Sequence, residues 1–214
     1  MAGADLSAGL RAGLLGVALG EALGLPWAGR SPREIKRDRL LDEVATTGAV
    51  TAAVLAGARG VADVAPRSGL PGGLVAGWRE PDPRPRRAAA LRFGFAAVVV
   101  ADLAAAALAG RPLHHLVADH ADDWPPPFRG VAYDDRAVVD ALLAVLHRHD
   151  DPSEAMRAAV RLGGGGTALL GAVVGGILGC RRPTAIERVP WRDRVALPAD
   201  AALDAAVAGL VAAS

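Results

Sequence analysis

The sequence predicts an all-α protein with a single domain. Apolar residues recur at helical spacing along most of the chain, and no segment shows the apolar-polar alternation that is typical of a half-buried strand. At 214 residues the chain is long enough to bury one substantial core. We therefore expect residues 1–214 to form one compact helical bundle without internal repeats.

The first half of the chain contains several apolar segments that are separated by glycine and proline. The first segment places Leu10, Leu14 and Val17 on one helical face, and Glu21 continues that face as an acid where an apolar residue is expected. The predicted elements are, in order, a helix at 5–24, a break at 25–34, a short charged helix at 33–43, a helix at 48–60, a loop at 64–86 and a long apolar helix at 86–110. The densest basic stretch, at 79–87, is predicted to be a solvated linker.

The second half continues the helical pattern. Tyr133, Asp134 and Asp135 open a predicted helix and are expected to cap it, since acids favour the positive end of the helix dipole. Asp151 before Pro152 is typical of an N-cap followed by proline at the first helical position. The predicted elements are a helix at 112–123 that stops at the prolines 125–127, helices at 134–150 and from 152 onward, a glycine-rich apolar helix at 162–180, and a last helix at about 199–212.

Composition and charge exclude some classes of function. The formal net charge is +1, so nothing in the balance of charges predicts binding to nucleic acid, which usually requires a clustered basic face. One cysteine, Cys180, excludes an intrachain disulfide framework, and we expect it to be an inert buried thiol. The N-terminal segment lacks the basic and apolar regions of a signal peptide, so we expect a cytoplasmic protein. The four tryptophans are expected to be packing anchors.

The stretch "LGGGGTALLGAVVGGILG" at 162–179 has three interpretations. Its length is close to that of a membrane span, and Gly171, Gly175 and Gly179 recur every four residues as in packed membrane helices. "GGGGT" exposes backbone amides at a helix start, which suits anions, but the lysine and preceding strand of a phosphate loop are missing. The favoured interpretation is a buried helix whose glycines let neighbouring helices approach closely.

Two segments carry a resemblance to a known family. "GLLGVALGEALGLPWAG" (13–29) resembles the opening helix of the ADP-ribosylglycohydrolase family, with its pattern G-x-x-x-G-D-A-L-G-x-P-x-E. Residues 153–195 resemble that family's C-terminal signature, in which A-V-N-L-G-G-D-T-D-T leads into a small-residue helix and then I-P-x-x-W, although the spacing of the last element differs. Residues 46–60 fall where the family has T-D-D-T followed by a helix. The resemblance implies an all-α fold shortened through about 61–110.

The departures from the family pattern concern its two magnesium ions. The family's carboxylate ligands come from T-D-D-T and G-G-D-T-D-T, whereas this chain has Thr47 followed by Gly48, Ala49 and Val50, and Gly165 and Thr167 in place of the two aspartates. Only the aspartate of G-D-A-L-G keeps a carboxylate, as Glu21. Magnesium is held by oxygen ligands that usually include carboxylates, so we predict that no metal site and no other cofactor is present.

The predicted function is that of a pseudoenzyme, a degenerate family member that acts as a binding or interaction module. An ADP-ribose-like ligand would bind near Thr47 and at the amides of Gly164, Gly165, Gly166 and Thr167. Two alternatives remain open: a metal-independent ADP-ribosyl or N-glycosyl hydrolase that uses Glu21 or an acid from 119–135, and a structural or assembly protein without a small-molecule ligand. The expected partners are such a ligand or a protein, including a second copy in a homodimer that covers exposed apolar helix surface, and neither nucleic acid nor a membrane.

Overall fold

The computed structural model describes residues 3–35, 40–41, 43–61, 68–119 and 134–212. These residues are helical or connecting, and none of them lies in a β-strand, which confirms the all-α prediction. Two short 3₁₀ turns, Leu25–Trp27 and Arg192–Arg194, accompany the helices. The α-helices of the described ranges are α1 Gly3–Gly24, α2 Ala49–Ala58, α3 Leu70–Arg79, α4 Pro83–Leu91, α5 Phe95–Leu108, α6 His114–Asp119, α7 Asp135–Arg148, α8 Pro152–Arg161, α9 Thr167–Arg181, α10 Pro183–Ile186 and α11 Asp200–Val211.

Helices α1 and α9 form the centre of the bundle and run antiparallel with their backbones in contact. A β-carbon on Gly16 would overlap the carbonyl of Gly175, and one on Gly20 would overlap the carbonyl of Gly171. Every residue of α9 from Thr167 to Cys180 is buried. The buried-helix interpretation of the glycine stretch is therefore confirmed, since its glycines remove the side chains that would hold the two helices apart.

Helices α3 and α5 repeat this close packing in a parallel pair. A β-carbon on Gly73 would lie 2.5 Å from the Ala97 carbonyl oxygen, and one on Gly77 would overlap that of Ala101. The prediction of a loop over 64–86 is wrong for residues 70–79 and 83–86, because burial against α5 outweighs the low helix propensity of the glycines in α3. The predicted long helix at 86–110 is instead two helices that meet at Gly94, which has a φ of +106°.

The basic stretch 79–87 is part of the packed structure, so the prediction of a solvated linker is wrong. Arg86 is 4% exposed, and its guanidinium contacts Asp102 of α5 at 3.0 Å. Arg86 also donates to the carbonyl oxygens of Glu80 and Pro81 at 3.2 and 2.8 Å. This buried ion pair fixes α4 on α5, and full hydrogen bonding is what makes such burial tolerable.

Other boundaries differ in detail. Residues 33–35 and 40–41 form turns and a bend, so no helix is found in the described part of the predicted 33–43 helix. The described part of the predicted 112–123 helix is α6, and residues 120–133 lie outside the described ranges. The predicted caps are confirmed: Asp134 accepts from the Ala137 amide at 3.0 Å, and Asp151 accepts from the Glu154 amide at 3.0 Å.

Aromatic and sulfur side chains lie in the core. Trp27, Trp78 and Trp191 are buried as expected of packing anchors, and the Trp191 indole N–H donates to the Leu19 carbonyl at 3.1 Å. Trp124 lies outside the described residues. Cys180 is buried, and this burial raises the pKa of its thiol far above the usual value, in agreement with an inert cysteine.

Within the ranges that the structure describes, one helical segment, Leu6–Trp27, is long and apolar enough to cross a membrane, and 83% of its most apolar window is buried inside the fold. Core helices of globular proteins meet the same criteria of length and composition.

Candidate functional site

The last turn of α1 is where the two family-like motifs approach each other. On one side, a β-carbon on Gly24 would lie 2.7 Å from both the Ala168 Cα and the Thr167 carbonyl oxygen, at the start of α9. On the other side, Gly48 lies at the start of α2, and a β-carbon on Gly48 would lie 2.8 Å from Glu21 Oε1. The N-termini of α2 and α9 thus pack against the same end of α1, and we take this region as the candidate site.

Glu21 closes the N-terminus of α2 from inside the core. Its side chain is 1% exposed, and Gly48, the residue before the helix, has no side chain with which to cap it. Glu21 Oε2 accepts from the Gly48 amide at 3.0 Å, from the Thr51 amide at 2.9 Å and from the Thr51 hydroxyl at 2.6 Å, while Oε1 accepts from the Val50 amide at 2.9 Å. The carboxylate therefore satisfies amides that a helix start leaves unpaired, and its charge suits the positive end of the helix dipole.

The glycine loop before α9 is attached to the turn that follows α1. Gly163 and Gly164 have φ values of +67° and +90°, in the left-handed region that favours glycine. The Gly29 amide donates to the Gly164 carbonyl at 2.9 Å, and the Gly164 amide donates to the Arg30 carbonyl at 2.7 Å. A β-carbon on Gly163 would lie 2.7 Å from that same Arg30 oxygen. The loop geometry thus depends on glycine at Gly163 and uses the Gly164 amide internally.

The remaining predicted ligand positions differ in their access to solvent. Gly165 is exposed, whereas Gly166 is buried and precedes the first residue of α9. The Thr167 side chain is fully buried, and its hydroxyl donates to the Gly164 carbonyl at 3.1 Å and lies 3.5 Å from the Gly24 carbonyl. Thr47 is half-buried just before Gly48. Gly165 is therefore the most accessible of these positions.

A charged pair lies beside the loop and was not identified from the sequence. The Arg30 guanidinium stacks 4.8 Å above the ring of Trp27, and its Nη2 lies 3.3 Å from Glu43 Oε2. The Trp27 indole N–H has no hydrogen-bond partner within the part of the chain that the structure describes. Hydrogen bonds from the Ser31 hydroxyl and amide lower the pKa of Glu34 below its usual value. Arg30 directly follows "PWAG" (26–29). This position after the end of α1 is the only signal in the sequence for a role of Arg30 at the site.

The acids of 119–135 that were candidates for a general base either lie apart from this region or fall among residues that the structure does not describe. Asp134 caps α7, and Asp135 accepts from the Gly69 amide at 2.8 Å, which joins α7 to the start of α3. The side chain of Asp119 and residues 122–123 are outside what the structure describes. Among the described residues, no three His, Cys, Asp or Glu side chains come together as a group that could hold a metal ion.

Comparison with known proteins adds a relationship of fold. No protein-family model matches the chain, and no curated protein matches it. A solved structure, described as an ADP-ribosylglycohydrolase-related protein complex, matches with a TM-score of 0.71 over 99% of this chain and 100% of that chain, at 19% sequence identity. The structural match supports a shared architecture, and at this level of identity it supports the fold alone. The chain therefore has the all-α fold of an ADP-ribosylglycohydrolase-related protein.

Proposed function

We propose that this protein is a degenerate ADP-ribosylglycohydrolase-like protein, a pseudoenzyme that lacks a dinuclear magnesium site and acts as a binding or interaction module. The observation that carries the proposal is the position of Glu21. It is the one acid that remains among the positions resembling the family's ligands, and four hydrogen bonds direct its two oxygens into the N-terminus of α2.

The residues at this position do not fit a magnesium ion. Three amides and one hydroxyl converge on the Glu21 carboxylate, and all four are donors whose positive ends repel a cation. Coordination by Glu21 would break these bonds and leave buried donors unpaired, which is costly. The positions that resemble the other ligands hold Gly48, Ala49, Gly165 and Thr167, and none of these supplies a carboxylate.

An ADP-ribose-like ligand remains the proposed small molecule. Support comes from the exposed Gly165 one residue before the N-cap of α9, where helix-terminal amides favour negative groups, and from Arg30, whose carbonyl holds the neighbouring Gly164. A phosphate group at this position would gain the helix amides, and the loop that presents them is held by the backbone of Arg30. The shortening through 61–110, the cytoplasmic location and the homodimer stay predictions.

A metal-independent hydrolase is the less favoured alternative. A general base must be free to accept a proton from water or substrate, and Glu21 instead accepts four hydrogen bonds while nearly excluded from solvent. Asp134 and Asp135 also hold helix ends in place. We therefore favour a binding module over an enzyme.

Two measurements test the proposal. Release of ADP-ribose from ADP-ribosylated arginine and serine peptides is assayed with and without EDTA, and magnesium binding is measured by isothermal titration calorimetry. We expect no release and no tight magnesium site. EDTA-insensitive release that Glu21→Gln abolishes would establish the hydrolase, and two tight magnesium sites would overturn the assigned role of Glu21.

Ligand binding is tested separately by thermal shift with ADP-ribose, ADP and NAD. We expect a rise in Tm with at least one of them, which Gly165→Asp removes by placing a negative charge beside the amides. Thr184→Asp, at an exposed position in α10 beyond the C-terminal end of α9, is the control and should leave the shift unchanged. If none of the three compounds raises Tm, the module has no ADP-ribose-like ligand and an assembly role replaces it.

A further inference from the structure

The turn between α4 and α5 exposes large apolar side chains. Phe95 is 83% exposed, Leu91 is 49% exposed and Phe93 is 48% exposed. Arg84 and Arg92 are exposed on the same segment. We call these five residues the Arg–Phe turn. Apolar side chains this exposed are unusual when they are contiguous, because each one costs hydration free energy unless it has a partner.

The Arg–Phe turn has a defined and projecting shape. The Phe93 amide donates to the Ala90 carbonyl at 2.9 Å, and the Gly94 amide donates to the Leu91 carbonyl at 3.0 Å. The Phe93 ring lies over Gly72 of α3, where a β-carbon would be 2.6 Å from the ring atoms. A β-carbon on Gly94 would meet no atom within 4 Å, so the tip of the turn stands clear of the fold. Phe93 thus packs on α3 and anchors the turn, while Gly94 projects and Phe95 stays mostly exposed.

The charge of this segment is mainly positive. Residues 82–102 contain four arginines and two acids, Asp82 and Asp102. Asp102 is 5% exposed and is paired with Arg86 and with Arg87, whereas the exposed Asp82 lies near Arg84 in sequence and Arg92 has no acid close to it on the segment. A partner that offers negative charge together with an apolar environment would therefore complement the Arg–Phe turn.

These properties decide between classes of partner. Three apolar side chains expose an area on the order of 400 Å², about half of what each partner contributes to a standard protein interface. A second copy related by a two-fold axis would bring two segments of net positive charge together, which disfavours a dimer through this turn. A bilayer with anionic headgroups needs only a few inserted side chains and a basic rim for reversible binding.

We propose that the Arg–Phe turn docks this protein on the surface of anionic membranes, with Phe95 and Leu91 inserted among the acyl chains and Arg84 and Arg92 at the headgroups. This inference departs from the sequence-based expectation that a membrane is not a partner. It concerns contact at the bilayer surface and does not require any helix to cross it.

The test is co-sedimentation of the full chain with phosphatidylcholine vesicles, either pure or containing about 30 mol% phosphatidylserine. We expect binding to the anionic vesicles that weakens when NaCl rises from about 0.05 M to about 0.5 M. Phe95→Ser and the double variant Arg84→Glu/Arg92→Glu should each weaken binding at least about tenfold. Val211→Ser and Arg188→Glu change exposed residues elsewhere on the surface and should bind as the unmodified protein does.

The proposal is overturned if anionic vesicles fail to bind the protein at low salt, or if the Phe95 and Val211 variants lose binding equally. It is also overturned if sedimentation equilibrium shows a dimer that Phe95→Ser dissociates, because a second copy is then the occupant of the turn. Circular dichroism of each variant checks that the helical fold is retained.

Discussion

Glu21 and Thr51 are joined twice: the Thr51 hydroxyl donates to Glu21 Oε2 at 2.6 Å, and the Thr51 amide donates to the same oxygen at 2.9 Å. Together with the bonds from Gly48 and Val50, these contacts attach the start of α2 to the end of α1. The start of α2 in the candidate site is therefore held in place by the carboxylate of Glu21 from α1.

Removing this carboxylate should destabilise the fold. Glu21→Ala leaves three amides and a hydroxyl without their acceptor inside the core, and we expect a loss of about 3 kcal/mol in the free energy of unfolding. Glu21→Gln keeps the volume and one acceptor oxygen, so about half of that loss is expected. Urea denaturation measures both values. Glu187→Gln, at an exposed position, is the control, and equal stability of Glu21→Ala and the control would contradict the capping role.

The contact between α1 and α9 should tolerate no additional carbon atom. Gly20→Ala forces a β-carbon into the Gly171 carbonyl, so the helix backbones must separate, and we expect a loss of about 3 kcal/mol or more. Gly57→Ala in α2 is the matched helical control. Its β-carbon would meet only the Val75 side chain, at 3.3 Å, and the gain of up to about 1 kcal/mol in helix propensity should offset this contact. Similar denaturation midpoints for the two variants would argue against backbone contact.

The buried ion pair between α4 and α5 should depend on its acid. Asp102→Ala leaves Arg86 as an uncompensated charge in the core, and a loss of about 3–5 kcal/mol is expected. Arg87, the second partner of Asp102, has a side chain that is 60% exposed, so Arg87→Ala should cost no more than about 1 kcal/mol. Thermal and urea unfolding of the two variants measure this difference, and a mild effect of Asp102→Ala would show that Arg86 is solvated.

A half-buried acid on α7 should make stability depend on pH. Burial raises the pKa of Asp140, Arg136 partly opposes this rise and Asp134 adds to it. The folded state therefore binds the proton more tightly than the unfolded state, so this residue lowers stability as pH rises from its ordinary pKa through the raised one. Asp140→Asn should raise Tm at about pH 7 and should lose this advantage near pH 3, where both states are protonated.

Asp193→Asn provides the comparison for that pH series, because the Asp193 side chain is 94% exposed. Its Tm should follow that of the unmodified protein at both pH values. An equal rise for both variants at neutral pH would point to a general effect of net charge instead of the environment of Asp140.

Local signals in the sequence were sufficient for caps and for the central helices. The cap at Asp134 is predictable because acids favour the positive end of a helix dipole, and the cap at Asp151 because proline follows it at the first helical position; each carboxylate accepts from an amide only three residues away. The acid at Glu21 was noticed as an exception on an apolar face, but its partners at Gly48 and Thr51 are 27 and 30 residues away, and only the tertiary fold brings them together.

Helix α3 is not predictable from local sequence for a related reason. Its proline and three glycines lower helix propensity and resemble a loop, but the absence of side chains at Gly73 and Gly77 is what allows α5 to approach. Arg86 was assigned to solvent because its nearest neighbours in sequence are prolines and charges, whereas its acceptor, Asp102, lies 16 residues further along. Composition within a window cannot reveal a partner that lies outside the window.

The antiparallel contact between α1 and α9 also sets an order of events during synthesis. At about 5–20 residues per second, the ribosome needs roughly 8–30 s to make the ~150 residues that separate Gly20 from its partner Gly171. Throughout that interval the glycine-lined face of α1 lacks the surface of α9 on which it packs in the fold. The apolar surface of α1 is therefore left uncovered by α9 until late in synthesis, and transient exposure of this kind favours aggregation.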